Sequence, residues 1–261
     1  MSGVDAEFEE EARTSSRGDE GELSRMSFLE HLEELRKRIL YSIIALGISF
    51  FVCWGFAPEI FHYLELPILQ YLPKGEKLAF TRLASPFFLY MKVAFLGAIF
   101  LSAPVILWQV WCFISPGLYK KERRYAAPFI ISASLFFLLG GWFGYTYIFP
   151  MTCKFFIEMG QNFKQVVTVD DYFSFASKMI LGTGLVFETP ILIFFLARFG
   201  IVTPAFLIQK FKYAVLIIFI VAAVITPSAD MVTQTALAVP MILLYLLGIG
   251  IAYMFGPKHD K

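Results

Sequence analysis

Histidine and cysteine are scarce in this sequence, three of each in 261 residues. Cys53, Cys112 and Cys153 are odd in number and irregularly spaced, which argues against a disulfide framework or a paired-cysteine zinc site. His31, His62 and His259 stand outside the apolar runs, and the HExxH pattern of helical zinc proteases does not occur. The phosphate-cradling GxxxxGK[ST] loop is also missing, so any energy input comes from elsewhere. There is no GxSG-like nucleophile paired with a membrane histidine. There is also no pair of intramembrane aspartates, since Asp170 and Asp171 fall at the edge of an apolar run. The sequence therefore reads as a non-enzyme, with no metal and no cofactor expected.

Charge is equally thin. Charged residues make up 16% of the chain and apolar residues 58%, with 30 phenylalanines. A soluble domain sits nearer a quarter charged and half apolar. A globular core cannot hide this much apolar surface, whereas lipid can. The apolar runs are about twenty residues long and do not alternate, which predicts membrane helices and excludes a β-barrel. A net charge of +1 gives no reason to expect a nucleic-acid partner.

Residues 1–25 are acidic and lack apolar periodicity, and are expected to form a disordered tail. They have neither the basic-then-apolar order of a secretory signal nor the composition of a transit peptide. Residues 26–256 read as a single transmembrane domain of six helices, with spans at about 39–57, 86–111, 126–149, 172–197, 213–226 and 231–255; residues 257–261 form a short tail. The second span is interrupted by Pro104, and the third is expected to end at Pro150. The fifth reaches only about 21 Å against a hydrocarbon core of about 30 Å. It is a span in a locally thinned bilayer, a span with polar flanks drawn into the interface, or a re-entrant segment.

Lysine and arginine set the orientation. Fifteen fall on the side of the two termini and five on the other, which predicts that both termini are cytoplasmic. The 58–85 loop carries apolar residues at helical spacing, broken at Pro67 and Pro73. It reads as short amphipathic helices on the outer interface.

Three places could carry chemistry. In SFLEHLEELRKRIL (27–40), Leu29, Leu32, Leu35, Arg36 and Ile39 outline an amphipathic helix, with Glu33–Lys37 and Glu34–Arg38 as i,i+4 pairs. In WCFISPGLYKKERR (111–124), Glu122 lies among four cations. Both segments read plainly as membrane anchors. They read functionally as two carboxylates, Glu34 and Glu122, facing a cationic ligand over an apolar floor of Phe113, Leu118 and Tyr119. Carboxylates accept the guanidinium fork in bidentate fashion, so arginine is favoured over lysine.

The third place is Glu188, ten residues from Lys178 and ten from Arg198. At the centre of a membrane helix an acid costs about 2.5–3.5 kcal/mol, and such residues are functional by default. A hydrogen-bonded packing residue is the plain alternative, with Thr183, Thr189, Gln234 or Lys92 as partner. Asp230 stands at the turn before the sixth span, where it can cap that helix. A proton-coupled secondary transporter using Glu188 is the rival reading; it predicts matching halves, which are not visible in the sequence.

The blocks HLEELRKRI, ASPFFLYMKVAFLGAIFLSAPVILWQVWCFISPGLYKKERR, FETP and ITPSADMVTQTALAVPM, in this order over residues 27–255, resemble the TatC family of the twin-arginine protein translocase. The resemblance implies a cup-shaped six-helix protein of the bacterial inner membrane with both termini cytoplasmic. It implies a receptor for signal peptides with two consecutive arginines. With single-span TatA- and TatB-type subunits, in a multimeric complex, it would export folded proteins on the proton-motive force.

By the same resemblance, Glu34 and Glu122 contact the arginine pair, and Arg36, Phe113, Leu118 and Tyr119 belong to that site. Pro67, Ser85 and Asp230 match outer-loop positions that the family needs. Glu188 matches a polar position on the concave face, and Thr226 and Gln234 match a cluster where partner helices dock. One departure is the last outer turn, TPSAD where the family often shows TPPD, which lengthens the path from Thr226 to Asp230.

Overall fold

Long apolar runs broken by proline, glycine and threonine give the chain its elements. A computed structural model describes residues 4–72, 77–114, 126–163, 166–226 and 230–255, with side chains from residue 30 onward except 126, 127, 129 and 255. Helix α1 is Val4–Gly55, α2 Ala57–Leu69, α3 Ser85–Ile114, α4 Ala126–Phe143, α5 Phe149–Met159 and α6 Val169–Phe187. Then come α7 Thr189–Arg198, α8 Pro204–Gln209, α9 Phe211–Ile225 and α10 Met231–Phe255. Among the described residues five helices are long and apolar enough to cross a membrane, and α9 is a shorter apolar helix of 15 residues, roughly 22 Å long. This is the expected all-α membrane fold with a short fifth segment.

The prolines act differently from the sequence expectation. Pro150 does not end the third segment. The backbone takes one π turn over Gly144–Ile148, in which the Phe149 N–H bonds to the Gly144 carbonyl, and the helix continues to Met159. The wider turn accommodates a proline that lacks an N–H and crowds the preceding turn. Helix α3 likewise runs through Pro104. Helix α2 runs through Pro67 as one helix instead of breaking there; Pro73 lies outside the described residues.

The fourth segment does break, at the Glu188–Thr189–Pro190 step between α6 and α7. Pro190 cannot donate to the Val186 carbonyl, and the Thr189 hydroxyl takes that acceptor at 2.6 Å. At the other end, α1 starts in the acidic tail, so the backbone from Val4 is helical where disorder is expected. Alanine, glutamate, leucine and arginine in EFEEEAR and GELSR are good helix formers that continue the first segment.

Capping marks the other starts. Thr168 accepts from the Asp171 N–H ahead of α6, with Asp170 and Asp171 in the first turn, and Thr203 accepts from Phe206 ahead of α8.

Helix α1 packs along α3, α4 along α6, and α10 along α7 and α9. One apolar cluster joins α1, α2, α3, α5 and α6 around Val93, Phe149 and Met179. A second joins α6 to α10 around Ile193, Ala222 and Leu237. Small residues allow the closest approach. A Cβ on Gly144 would stand 2.0 Å from the Thr183 Oγ1, and one on Gly140 2.7 Å from the Thr183 carbonyl. The four-residue Gly140–Gly144 spacing is the small-residue contact by which membrane helices pack without a hydrophobic force between them.

Candidate functional site

The described part of the predicted ligand site lies where the middle of α1 meets the C-terminal end of α3. A groove of about 230 Å³ runs there between Leu35, Arg38 and Ile39 of α1 and Gln109, Val110 and Phe113 of α3. Phe113 stacks on the His31 ring, centroids 4.4 Å apart and planes 16° apart. Glu34 stands beside the groove and accepts from Arg38 Nη2 at 3.1 Å. Arg38 Nη1 reaches Gln109 Oε1 at 3.4 Å, which ties α1 to α3.

The structure therefore brings Glu34 and Phe113 to one place. Arg36 does not join them. It is exposed, and two residues along a helix put it about 200° around from Glu34. The Glu34–Arg38 pair forms as expected, whereas no Glu33–Lys37 ion pair appears among the described residues. Leu118, Tyr119 and Glu122 lie outside the described residues.

Glu188 sits at the α6–α7 break. Its N–H bonds to the Leu185 carbonyl, and its own carbonyl accepts from Ile191 and Leu192, so its backbone joins the two helices. The side chain is half-buried. Oε1 is fully buried and receives no hydrogen bond among the described residues. The four candidate partners are engaged elsewhere. Thr183 donates to the Met179 and Ile180 carbonyls, Thr189 to Val186 and Gln234 to Phe219. Lys92 pairs with Asp170 at 3.4 Å.

Lys92 marks the opposite end of the bundle from Glu34. There a concavity of about 440 Å³ is walled by Phe50 of α1, Lys92, Phe95 and Leu96 of α3, and Phe173 and Leu181 of α6. Ser85 is buried and its side chain hydrogen-bonds with Asp170 near the same pair. Helix α2 is fastened over this end by the Tyr145 and Tyr172 hydroxyls, which donate to the Tyr63 and Leu64 carbonyls. Ala79 adds a two-bond parallel bridge around Thr168, with Val167 and Val169 at 2.9 and 2.8 Å. Pro67 sits in the fastened helix.

Thr226 and Gln234 turn inward. Thr226 is buried and donates to the Ala222 carbonyl at 2.8 Å, while Gln234 Nε2 donates to the Phe219 carbonyl at 2.8 Å and joins α10 to α9. Asp230 caps α10 as its position suggests, accepting from the Thr233 N–H at 2.8 Å and from the Thr233 hydroxyl. Among the described residues no cluster of histidine, cysteine or acids could hold a metal ion.

Sequence reasoning did not single out Arg38, Gln109 or His31 as parts of the groove. Gln109 carried a signal, a lone amide in an apolar run. So did Arg38, one turn from an acid that is expected to meet cations.

An all-helical, multi-pass membrane protein with an acid at the mouth of one groove is the class that fold and site define. The family model described as "Sec-independent protein translocase protein (TatC)" matches residues 30–240. The TatC of Koribacter versatilis is 43% identical, over 92% of this chain and 89% of its own. That of Escherichia coli is 40% identical over 85% and 86%. A crystal structure of a "Twin Arginine Translocase Receptor- TatC" superposes with a TM-score of 0.75 at 34% identity, over 86% of this chain and 98% of that one. A crystal structure of a "Twin Arginine Translocase Receptor- TatC in DDM" gives a TM-score of 0.77 at 35% identity, over 85% and 99%.

The chain belongs to the TatC family. It is a component of the Sec-independent protein translocase, a protein-transport family without enzymatic activity, and the small-molecule transporter reading is set aside.

Proposed function

We propose that the Glu34–Phe113 groove is part of the receptor site for signal peptides bearing two consecutive arginines. The observation that carries this reading is the packing of α1 on α3, which puts a carboxylate beside an apolar groove with a stacked aromatic. A guanidinium suits the carboxylate through its fork and the ring through its flat face. Glu122, Leu118 and Tyr119 complete the site in this reading. Placing it on the cytoplasmic side of a bacterial inner membrane agrees with the fifteen-to-five split of basic residues.

In the same reading the protein works with single-span TatA- and TatB-type subunits, and the proton-motive force drives folded cargo outward. Glu188, with one buried oxygen lacking a partner among the described residues, is the polar contact that a partner helix or inserted signal peptide satisfies. Thr226 and Gln234 shape the α9–α10 surface for such a helix from within. Pro67, Ser85 and Asp230 keep the outer end in form.

The test is a titration of the purified protein in nanodiscs with a fluorescent twin-arginine peptide and its lysine–lysine counterpart. Tighter binding of the arginine peptide, weakened by Glu34→Ala and by Glu122→Ala, is expected. Equal binding of both peptides, indifferent to either substitution, would overturn the reading.

A further inference from the structure

Glu34 is not an open carboxylate, because this chain already engages it. Arg38 meets Oε1 at a single point, Nη2 at 3.1 Å, and among the described residues Oε2 receives no hydrogen bond. Arg38's second contact, to Gln109, is long at 3.4 Å. Its Nε–H is buried without an acceptor among the described residues. A pair one helical turn apart and more than a quarter exposed is held weakly. The buried, unmatched Nε–H weakens the hold further. Arg38 is thus a loosely seated internal ligand at the polar head of the groove.

Two kinds of incoming cation meet this arrangement differently. A guanidinium fork takes both oxygens of a carboxylate, so it competes with Arg38 for Oε1 and gains most when Arg38 gives way. An ammonium has no fork. It meets Oε2 with Arg38 still on Oε1, and two cations then crowd one carboxylate.

We propose that Arg38 is a specificity-determining residue of the groove: it occupies one oxygen of Glu34, yields it to a guanidinium, and remains in place against an ammonium. This rests on the reading of Glu34 as an acid of the signal-peptide site.

The experiment titrates the full-length protein in nanodiscs with the twin-arginine and lysine–lysine peptides. It compares the unaltered protein with Arg38→Gln, Arg38→Met, Lys37→Gln and Glu34→Gln. Arg38→Met keeps the aliphatic stem in the groove and serves as the second neutral variant should Arg38→Gln fold poorly. Both neutral variants are expected to bind the lysine peptide about fivefold more tightly, the factor set by like charges about 4 Å apart in water. The arginine peptide should gain less, so that the preference for arginine narrows. Lys37→Gln removes the same charge from an exposed position that does not touch Glu34, and should leave the preference as it is.

If both peptides weaken together in the neutral variants, Arg38 serves to hold Glu34 in place and the proposal is wrong. An unchanged preference defeats it equally. Glu34→Gln separates the two layers: undiminished arginine-peptide binding in that variant overturns the reading of the site itself.

Discussion

The hydroxyl of Tyr145 donates to the backbone carbonyl of Tyr63 at 2.5 Å, and Tyr63 is the residue four before Pro67. In an unbroken helix that carbonyl would bond to the N–H of residue 67, which proline lacks. The proline in α2 thus opens an acceptor, and a side chain from the π turn after α4 fills it. The same logic holds within α6–α7, where Pro190 frees the Val186 carbonyl for Thr189.

This gives a double-substitution test. Tyr145→Phe should lower stability by about 1 kcal/mol, the net value of a hydrogen bond. Pro67→Ala restores a backbone donor to Tyr63, so Tyr145→Phe should cost less in its presence. Thermal unfolding of the four proteins in detergent reads the coupling. Additive losses would show that the two residues act separately.

At the α4–α6 contact, Gly144→Ala would place a methyl 2.0 Å from the hydroxyl of the fully buried Thr183. A loss of roughly 1–3 kcal/mol is expected from such overpacking. Thr183→Ala removes the clashing oxygen and should recover part of it. Gly140→Ala meets the Thr183 backbone carbonyl and the Phe187 side chain, so the same second change should not help. Equal rescue of both glycine variants would contradict this packing.

Asp230→Ala removes the N-cap of α10, and about 1 kcal/mol of stability should go with it. Asp230→Asn keeps an acceptor at the Thr233 N–H and should stay close to the parent. Stability and export measured side by side decide what the acid does. If the Asn variant is stable and inactive, the negative charge has a role beyond the cap.

Glu188→Leu removes a carboxylate whose Oε1 is buried without a partner among the described residues. The isolated protein should become more stable, by about 1–3 kcal/mol if the whole desolvation cost is recovered. Co-purification with single-span partner subunits should fall. Opposite movement of these two readouts is the signature of a polar group kept for a partner. A lower unfolding temperature would mean that Glu188 is bonded within the chain.

Much of this protein is readable in one dimension. A run of twenty apolar residues needs lipid wherever it folds, so the long membrane helices and the brevity of the fifth apolar segment follow from composition along the chain. Asp230 is legible as a cap because an N-cap joins residues three apart. The Glu34–Arg38 pair follows from one helical turn.

Other features depend on neighbours from far along the chain. Proline announces a lost N–H, yet whether the helix ends, as expected at Pro150, or passes through a π turn depends on what surrounds it. Pro67 does not end α2, and Tyr145, 82 positions from Tyr63, bonds the carbonyl it frees. The expected partners of Glu188 each found a nearer carbonyl or, for Lys92, an acid 78 residues away. Gln234, matched to a cluster where partner helices dock, reaches the Phe219 carbonyl of α9, while Thr226 of the same cluster bonds back to Ala222 at the end of α9.

The sequence by itself determined the medium, the helices and the local pairs, because hydrophobic transfer and i,i+4 geometry are properties of a segment. Only the tertiary structure decided which side chain reaches Arg38 from α3 and which oxygen of Glu188 stays unmatched, because hydrogen-bond satisfaction in a packed bundle is settled among residues that the chain keeps far apart.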